Sequence, residues 1–287
     1  MSPPVSRPLL VVDGDSLAHR AYHALPPITG AGGRPVNALV GFANVLLQLW
    51  DMEQPRAVLA GWDTYKAPLY RHQLWPGYQG RRPDFDPEIV EQLGRLPGLV
   101  TALGGRNAKA AGYEADDFLA TAVRLERAAG GTALVLTSDR DAYQLVSDAV
   151  TVLAPQTGGK PPLRIGPGQV VERYGVQPAQ VPDFIALRGD PSDNLPGAPG
   201  IGPKTAAALL AEYGTLENLL ANADRLTQRQ AAALREHDLL TFRRVATMDD
   251  HAPVELPADA GLDAAGGAAF AREIGASRLA ERLDERP

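Results

Sequence analysis

The first half of the chain alternates short apolar runs with stretches whose apolar positions recur every three or four residues, the rhythm of a parallel sheet covered by helices. Leu9 to Val12, Ala57 to Ala60 and Ala133 to Leu136 read as strands, with Ala149 to Leu153 as a fourth. Asn37 to Met52 and Ala115 to Ala128 read as helices. From about Gly166 the strand pattern stops, and short helices broken by Gly and Pro follow. These patterns predict an α/β fold class, with a parallel-sheet domain over residues 1–165 and a helical domain over 166–287. Within the latter, Asp250 to Gly267 is rich in Ala, Gly, Asp and Pro and reads as loop before a last short helix near Ala268 to Leu283.

Each of the three clearest strands runs into aspartate: Asp13, Asp63, and Asp139 with Asp141 close behind. Open parallel sheets bind ligands outside the carboxyl ends of their strands, so these carboxylates are expected in one crevice. Glu114, Asp116 and Asp117 stand at the start of a predicted helix, and Asp190 and Asp193 lie in Gly-Asp-Pro-Ser-Asp-Asn. Any one of them alone reads as a turn former, an N-cap or a partner of the helix dipole. Together they would repel one another and hold their protons too tightly unless cations neutralised them. Oxygen donors with no His or Cys among them select Mg²⁺ or Mn²⁺ over zinc. Two such ions about 4 Å apart suit in-line hydrolysis of a phosphodiester.

Composition narrows the chemistry further. With no cysteine, disulfides, iron-sulfur clusters and thiolate zinc sites are excluded. No apolar run reaches membrane-spanning length and the first residues lack the plan of a signal peptide, so a cytoplasmic protein is expected. The net charge of −6, from 28 basic and 34 acidic residues, argues against a nucleic-acid partner until its distribution is considered. Two bound divalent cations would bring −6 to −2. Between Asp63 and the next helix, Lys66, Arg71, Arg81 and Arg82 interleave with Tyr65, Tyr70, Trp75 and Tyr78, a pattern suited to single-stranded nucleic acid. The plainer reading is an amphipathic cover with buried rings. After Asp193, Gly197, Gly200 and Gly202 precede Pro203, Lys204 and Thr205 and a helical run. This is a helix-hairpin-helix pattern, whose backbone N–H groups hold duplex phosphates without reading sequence.

In the order Val12-Asp13-Gly14, Arg20-Ala21-Tyr22, Tyr70-Arg71-His72, Gly112-Tyr113-Glu114-Ala115-Asp116-Asp117, Thr137-Ser138-Asp139-Arg140-Asp141, Gln144-Leu145, Gly189-Asp190-Pro191-Ser192-Asp193-Asn194 and Pro199-Gly200-Ile201-Gly202, the chain resembles the 5′-nuclease family. That family comprises the flap endonucleases and the 5′ to 3′ exonuclease domain of bacterial DNA polymerase I. The resemblance covers roughly Leu9 to Leu220 and implies a PIN-like nuclease domain with a helical arch, followed by a three-helix DNA-binding element. It implies a free-standing, monomeric, metal-dependent 5′ nuclease that cuts DNA near 5′-flap and duplex junctions in replication and repair. By the same resemblance, Asp13, Asp63, Glu114, Asp116, Asp117 and Asp139 serve a first Mg²⁺ or Mn²⁺ directly or through water, and Asp141, Asp190 and Asp193 a second, with Asp139 open to sharing between the two. Arg71, Arg81 and Arg82 become arch cations and Lys66 a further catalytic cation. Arg20, Tyr22, Tyr78 and Gln79 contact DNA, as do Gly197, Gly200, Gly202, Lys204 and Thr205 of the hairpin, which also holds K⁺. Gln79 stands where many bacterial relatives carry lysine, so slower turnover is expected. The alternatives are a non-catalytic junction-binding protein and a PIN-type ribonuclease.

Overall fold

The computed structural model describes residues 7–64, 66–80, 85–156 and 158–286. Its sheet comprises β1 (Leu9–Asp13), β2 (Ala57–Gly61), β3 (Arg106–Ala108), β4 (Ala133–Leu136), β5 (Val150–Ala154) and β6 (Leu163–Ile165), in the spatial order β3-β2-β1-β4-β5-β6. All pairings are parallel except that of β5 with β6. β3 and β6 escaped the sequence pattern because a strand of three residues is too short to show a period of two.

The helices of the first half are α1 (Gly14–Ala24), α2 (Asn37–Glu53), α3 (Tyr70–Leu74), α4 (Pro87–Ala102) and α5 (Ala115–Ala128). Beyond the sheet come α6 (Pro167–Tyr174), α7 (Val181–Arg188), α8 (Pro203–Tyr213), α9 (Leu216–Ala221), α10 (Gln228–Glu236) and α11 (Leu239–Ala246). The chain ends in α12 (Ala264–Glu273) and α13 (Ser277–Asp284). None of the described helices is long and apolar enough to cross a membrane.

Successive strand residues point to opposite faces, and the two cores divide accordingly. Leu9, Val11, Leu59, Val135 and Val152 pack with Phe118 of α5, Phe184 of α7 and the helical half. Leu10, Val12, Val58, Leu136 and Leu153 pack with Phe42 of α2, Leu96 of α4, and Ala268 and Leu279 of the last two helices. The tail expected as one helix is therefore two, and it returns to the α/β half. Gly275, at φ 76°, turns the chain between them, and a Cβ there would meet the Ala31 nitrogen at 2.3 Å. At the other end of the chain β1 passes directly into α1 through Gly14, where a Cβ would meet the Trp62 ring at 2.4 Å.

Candidate active site

From β1 the chain builds outward to β2 and β3, then crosses back to place β4 on the other side of β1. That reversal opens a crevice at the carboxyl ends of β1 and β4, the place where doubly wound sheets bind ligands. A cavity of about 490 Å³ occupies it. Asp13, Asp63, Glu114, Asp116, Asp139, Asp141 and Asp193 all line it, so seven of the nine acids expected there come together.

Folding constrains each of these carboxylates. Asp13 caps α1 by accepting from the Ser16 N–H at 2.9 Å, and its second oxygen accepts from the Thr137 hydroxyl at 2.7 Å. Burial, reinforced by the charges of Asp63 and Asp139, pushes its pKa up to about 7. Asp63 accepts from the Ala115 N–H at 2.7 Å, tying the end of β2 to the start of α5. The Asp139 carboxylate accepts from the Asp141 N–H at 2.9 Å. Burial also holds Asp116 and Asp141 well above the usual carboxylate range; for Asp141, the charges of Asp139 and Asp193 add to it. Because several anions share one crevice, the donor set fits hard divalent cations.

Sequence reasoning missed Asp15. It lines the same cavity, accepts from the Asp63 N–H at 2.7 Å, and is pushed well up by burial and the Asp63 charge. The signal in the sequence is its position two residues after Asp13, although an acid in a first helical turn more often answers the helix dipole. Another missed group is Asp249, Asp250 and His251, where, among the described residues, three ligand atoms lie within 4.8 Å of one another. Among those residues no three acids of the crevice form such a group, and Arg71 draws Glu114, Asp116 and Asp117 onto one guanidinium.

Several expected contacts fall elsewhere. Asp117 is fully buried outside the cavity lining; its oxygens accept from Tyr70, Arg71 and the N–H groups of Glu114 and Asp249. Asp190 accepts from the Ser192 N–H at 2.8 Å and from Arg188 at 3.2 Å, shaping the loop that carries Asp193. The reading of Arg71 as an arch cation needs correction: its side chain is 1% exposed and bonded to Glu114 at 2.6 Å, Asp116 at 3.1 Å and Asp117 at 2.7 Å. Tyr78 is likewise buried, donating to Glu114 at 3.0 Å, so it offers DNA no exposed ring. Gln79, at φ 51°, donates its amide to Glu114 at 2.7 Å and its backbone N–H to the Asp193 carbonyl at 3.2 Å, joining the two halves of the site. Lys66 is exposed beside the crevice, while Arg81 and Arg82 lie outside the described residues.

Arg20 lines an adjoining cavity of about 920 Å³ along α1, which shares Ser16, His19 and Ser138 with the crevice, and the Tyr22 hydroxyl donates to Glu88 at 3.4 Å. Neither side chain lines the acid crevice. In the hairpin, Gly200, Gly202 and Lys204 are exposed and Thr205 is half-buried at the start of α8. Gly197 is buried instead: a Cβ there would meet the Gly189 nitrogen at 2.3 Å, so this glycine permits close backbone packing.

The family model described as 5′-3′ exonuclease, N-terminal resolvase-like domain, matches residues 8–175, and that described as 5′-3′ exonuclease, C-terminal SAM fold, matches residues 176–265. The chain belongs to the 5′-3′ exonuclease family. DNA polymerase I of Mycobacterium tuberculosis is 44% identical over 229 residues, 79% of this chain and 25% of that protein. The chain thus spans about a quarter of the length of the curated relatives it matches. Among solved structures, T5 5′-exonuclease with bound divalent zinc shares the fold at TM-score 0.71 and 20% identity, over 97% of this chain and 99% of that one. The catalytic core of Rad2 in complex with DNA substrate does so at TM-score 0.63 and 14% identity, over 98% and 91%. The expected combination of a parallel-sheet nuclease domain and a helical domain is the fold of this 5′-3′ exonuclease family.

One consequence is thermodynamic. With a folded pKa of about 7 against an ordinary 3.8, Asp13 keeps a proton in the folded chain that the unfolded chain releases. Its contribution to stability is fully present below the unfolded value and is lost as pH rises through the folded one. Calorimetry in divalent-free buffer is expected to show a thermal midpoint that falls from about pH 5 to about pH 8, with Mg²⁺ reducing the fall. A midpoint that rises over this range would contradict it.

Proposed function

We propose that this 5′-3′ exonuclease family member hydrolyses DNA phosphodiesters at 5′ ends and near the junction of a 5′ single-stranded flap with duplex, in bacterial replication and repair. The observation that carries the reading is the gathering of seven expected acids and Asp15 in one crevice at the switch point of the sheet. Asp13, Asp63, Glu114 and Asp116 hold a first Mg²⁺ or Mn²⁺, directly or through water, and Asp139, Asp141 and Asp193 a second. Bound there, such ions supply an activated water and stabilise the leaving oxygen. Asp117 and Asp190 position these ligands from behind. Arg71 fixes the orientation of Glu114 and Asp116, and Gln79 holds Glu114 against the Asp193 loop. The exposed Gly200, Gly202 and Lys204 suit duplex phosphates, with K⁺ on the hairpin carbonyls. The helical domain over 166–287 supplies that hairpin. The protein acts as a cytoplasmic monomer.

A labelled 5′-flap duplex incubated with Mg²⁺, Mn²⁺ or a chelator tests this. Cleavage near the junction, leaving a 5′ phosphate and a 3′ hydroxyl, is expected with either divalent ion and absent with the chelator. Binding without cleavage in both ions would identify a junction-binding protein, and cleavage confined to RNA a ribonuclease; either overturns the proposal.

A further inference from the structure

Behind the crevice, Phe184, Ile185, Ala186 and Leu187 bury α7 in the core, and the helix stops at Gly189, whose φ of 77° turns the chain. Its last residue is Arg188. A basic residue in a last helical turn ordinarily answers the helix dipole from the surface. Arg188 is held differently, with its side chain only 23% exposed. Its guanidinium lies 5.4 Å from the centre of the Phe184 ring and 5.9 Å from that of Tyr174, and the two rings stack on each other at 5.0 Å. Nη2 donates to Asp190 at 3.2 Å, while Nε is buried and has no hydrogen-bond partner among the described residues. Leaving a buried donor unmade costs free energy, so the rings and the Asp190 charge are what keep the guanidinium in place.

Each oxygen of Asp190 thereby has a partner. One accepts from the N–H and hydroxyl of Ser192, the other from Arg188. Backbone bonds between Asp190 and Leu195, 2.8 Å in each direction, close the loop that carries Asp193 into the crevice. The Arg188 charge also reaches Asp141: burial and the charges of Asp139, Asp193 and Asp190 push that carboxyl up, and Arg188 pulls it back. Asp139, Asp141, Asp190 and Asp193 carry four negative charges when ionised, and Arg188 reduces the sum to three.

We infer that Arg188 is a positioning residue acting through Asp190: it draws this carboxylate away from the crevice and cancels its charge, and so limits how tightly the second acid group holds a divalent cation. The inference rests on the metal-dependent nuclease reading and deepens it. The affinity of the second group is set below what its carboxylates alone would give, so its occupancy follows the concentration of free divalent ion.

Arg188→Gln tests this, because glutamine keeps a donor for Asp190 and removes the charge. Isothermal titration calorimetry measures Mn²⁺ binding to the full chain. Arg188→Gln is expected to bind one Mn²⁺ about ten-fold or more tightly than the wild type, the scale of one unit charge acting on a nearby divalent ion at a protein surface. Arg188→Lys keeps the charge and is expected to bind as the wild type does. Arg188→Gln combined with Asp190→Asn removes both charges and is expected to return to the wild-type affinity. A residue that served packing alone would weaken binding when replaced. Unchanged or weaker binding in Arg188→Gln, an equal gain in Arg188→Lys, or a gain that persists in the double variant overturns the inference. Should Arg188→Gln unfold without divalent ions, the rise of its thermal midpoint with Mn²⁺ reads the same affinity. A wild type that takes up no Mn²⁺ overturns the metal reading of the crevice together with this inference; a wild type that binds Mn²⁺ with an affinity indifferent to Arg188 overturns this inference alone.

Discussion

Arg71→Met is expected to destabilise the protein by about 3–5 kcal/mol, the cost of leaving buried charges without their partner. The guanidinium forks onto Asp117 at 2.7 and 3.0 Å, reaches Glu114 at 2.6 Å, and donates its Nε to the Val245 carbonyl at 3.0 Å. It thereby joins α3, the start of α5 and the end of α11. Arg71→Lys should recover little, because a single ammonium cannot present donors in this planar fork. Urea unfolding followed by circular dichroism measures the effect. A loss below about 1 kcal/mol would mean that the pairing behaves like one on the surface, and would restore the arch reading of this residue.

Asp13→Asn should separate stability from hydrolysis. Loss of one electrostatic anchor in a catalytic centre typically costs about 10²–10³-fold in rate, and Asp13 stands between Asp63 and Asp139 in the crevice. Yet the metal-free variant should be more stable than the wild type near pH 8. A native pKa of about 7 against 3.8 makes ionised Asp13 a burden of no more than about 4 kcal/mol there, which a neutral side chain escapes. Asparagine keeps the N-cap to Ser16, and Thr137 can accept from its amide where it donated to the carboxylate. Single-turnover cleavage together with thermal midpoints at about pH 5 and about pH 8 tests both halves. Lower stability at both pH values alongside lost cleavage would point to misfolding.

The difference between Asp13 and Arg71 shows where sequence reasoning reached. Asp13, Asp63 and Asp139 follow buried strands, and the rule that parallel strands present their carboxyl ends to one crevice carries them together without any contact map. Arg71, in a basic and aromatic segment, reads locally as an exposed cation. Its burial depends on Asp117, 46 residues away, and on Val245, 174 residues away. Tyr78 follows the same logic through Glu114, and Gly197 through the backbone of Gly189. Asp15 was legible in type and place but not in its contact with Asp63.

By itself the sequence determined the alternation of strands and helices, the strand-end acids, the glycine hairpin and the absence of thiol chemistry, because each depends on residue type and spacing over a few positions. Only the tertiary structure decided which cations are buried, which acids face the crevice, and where α12 and α13 return. Those outcomes depend on burial and on contacts between residues far apart in the chain, and local spacing carries no record of either.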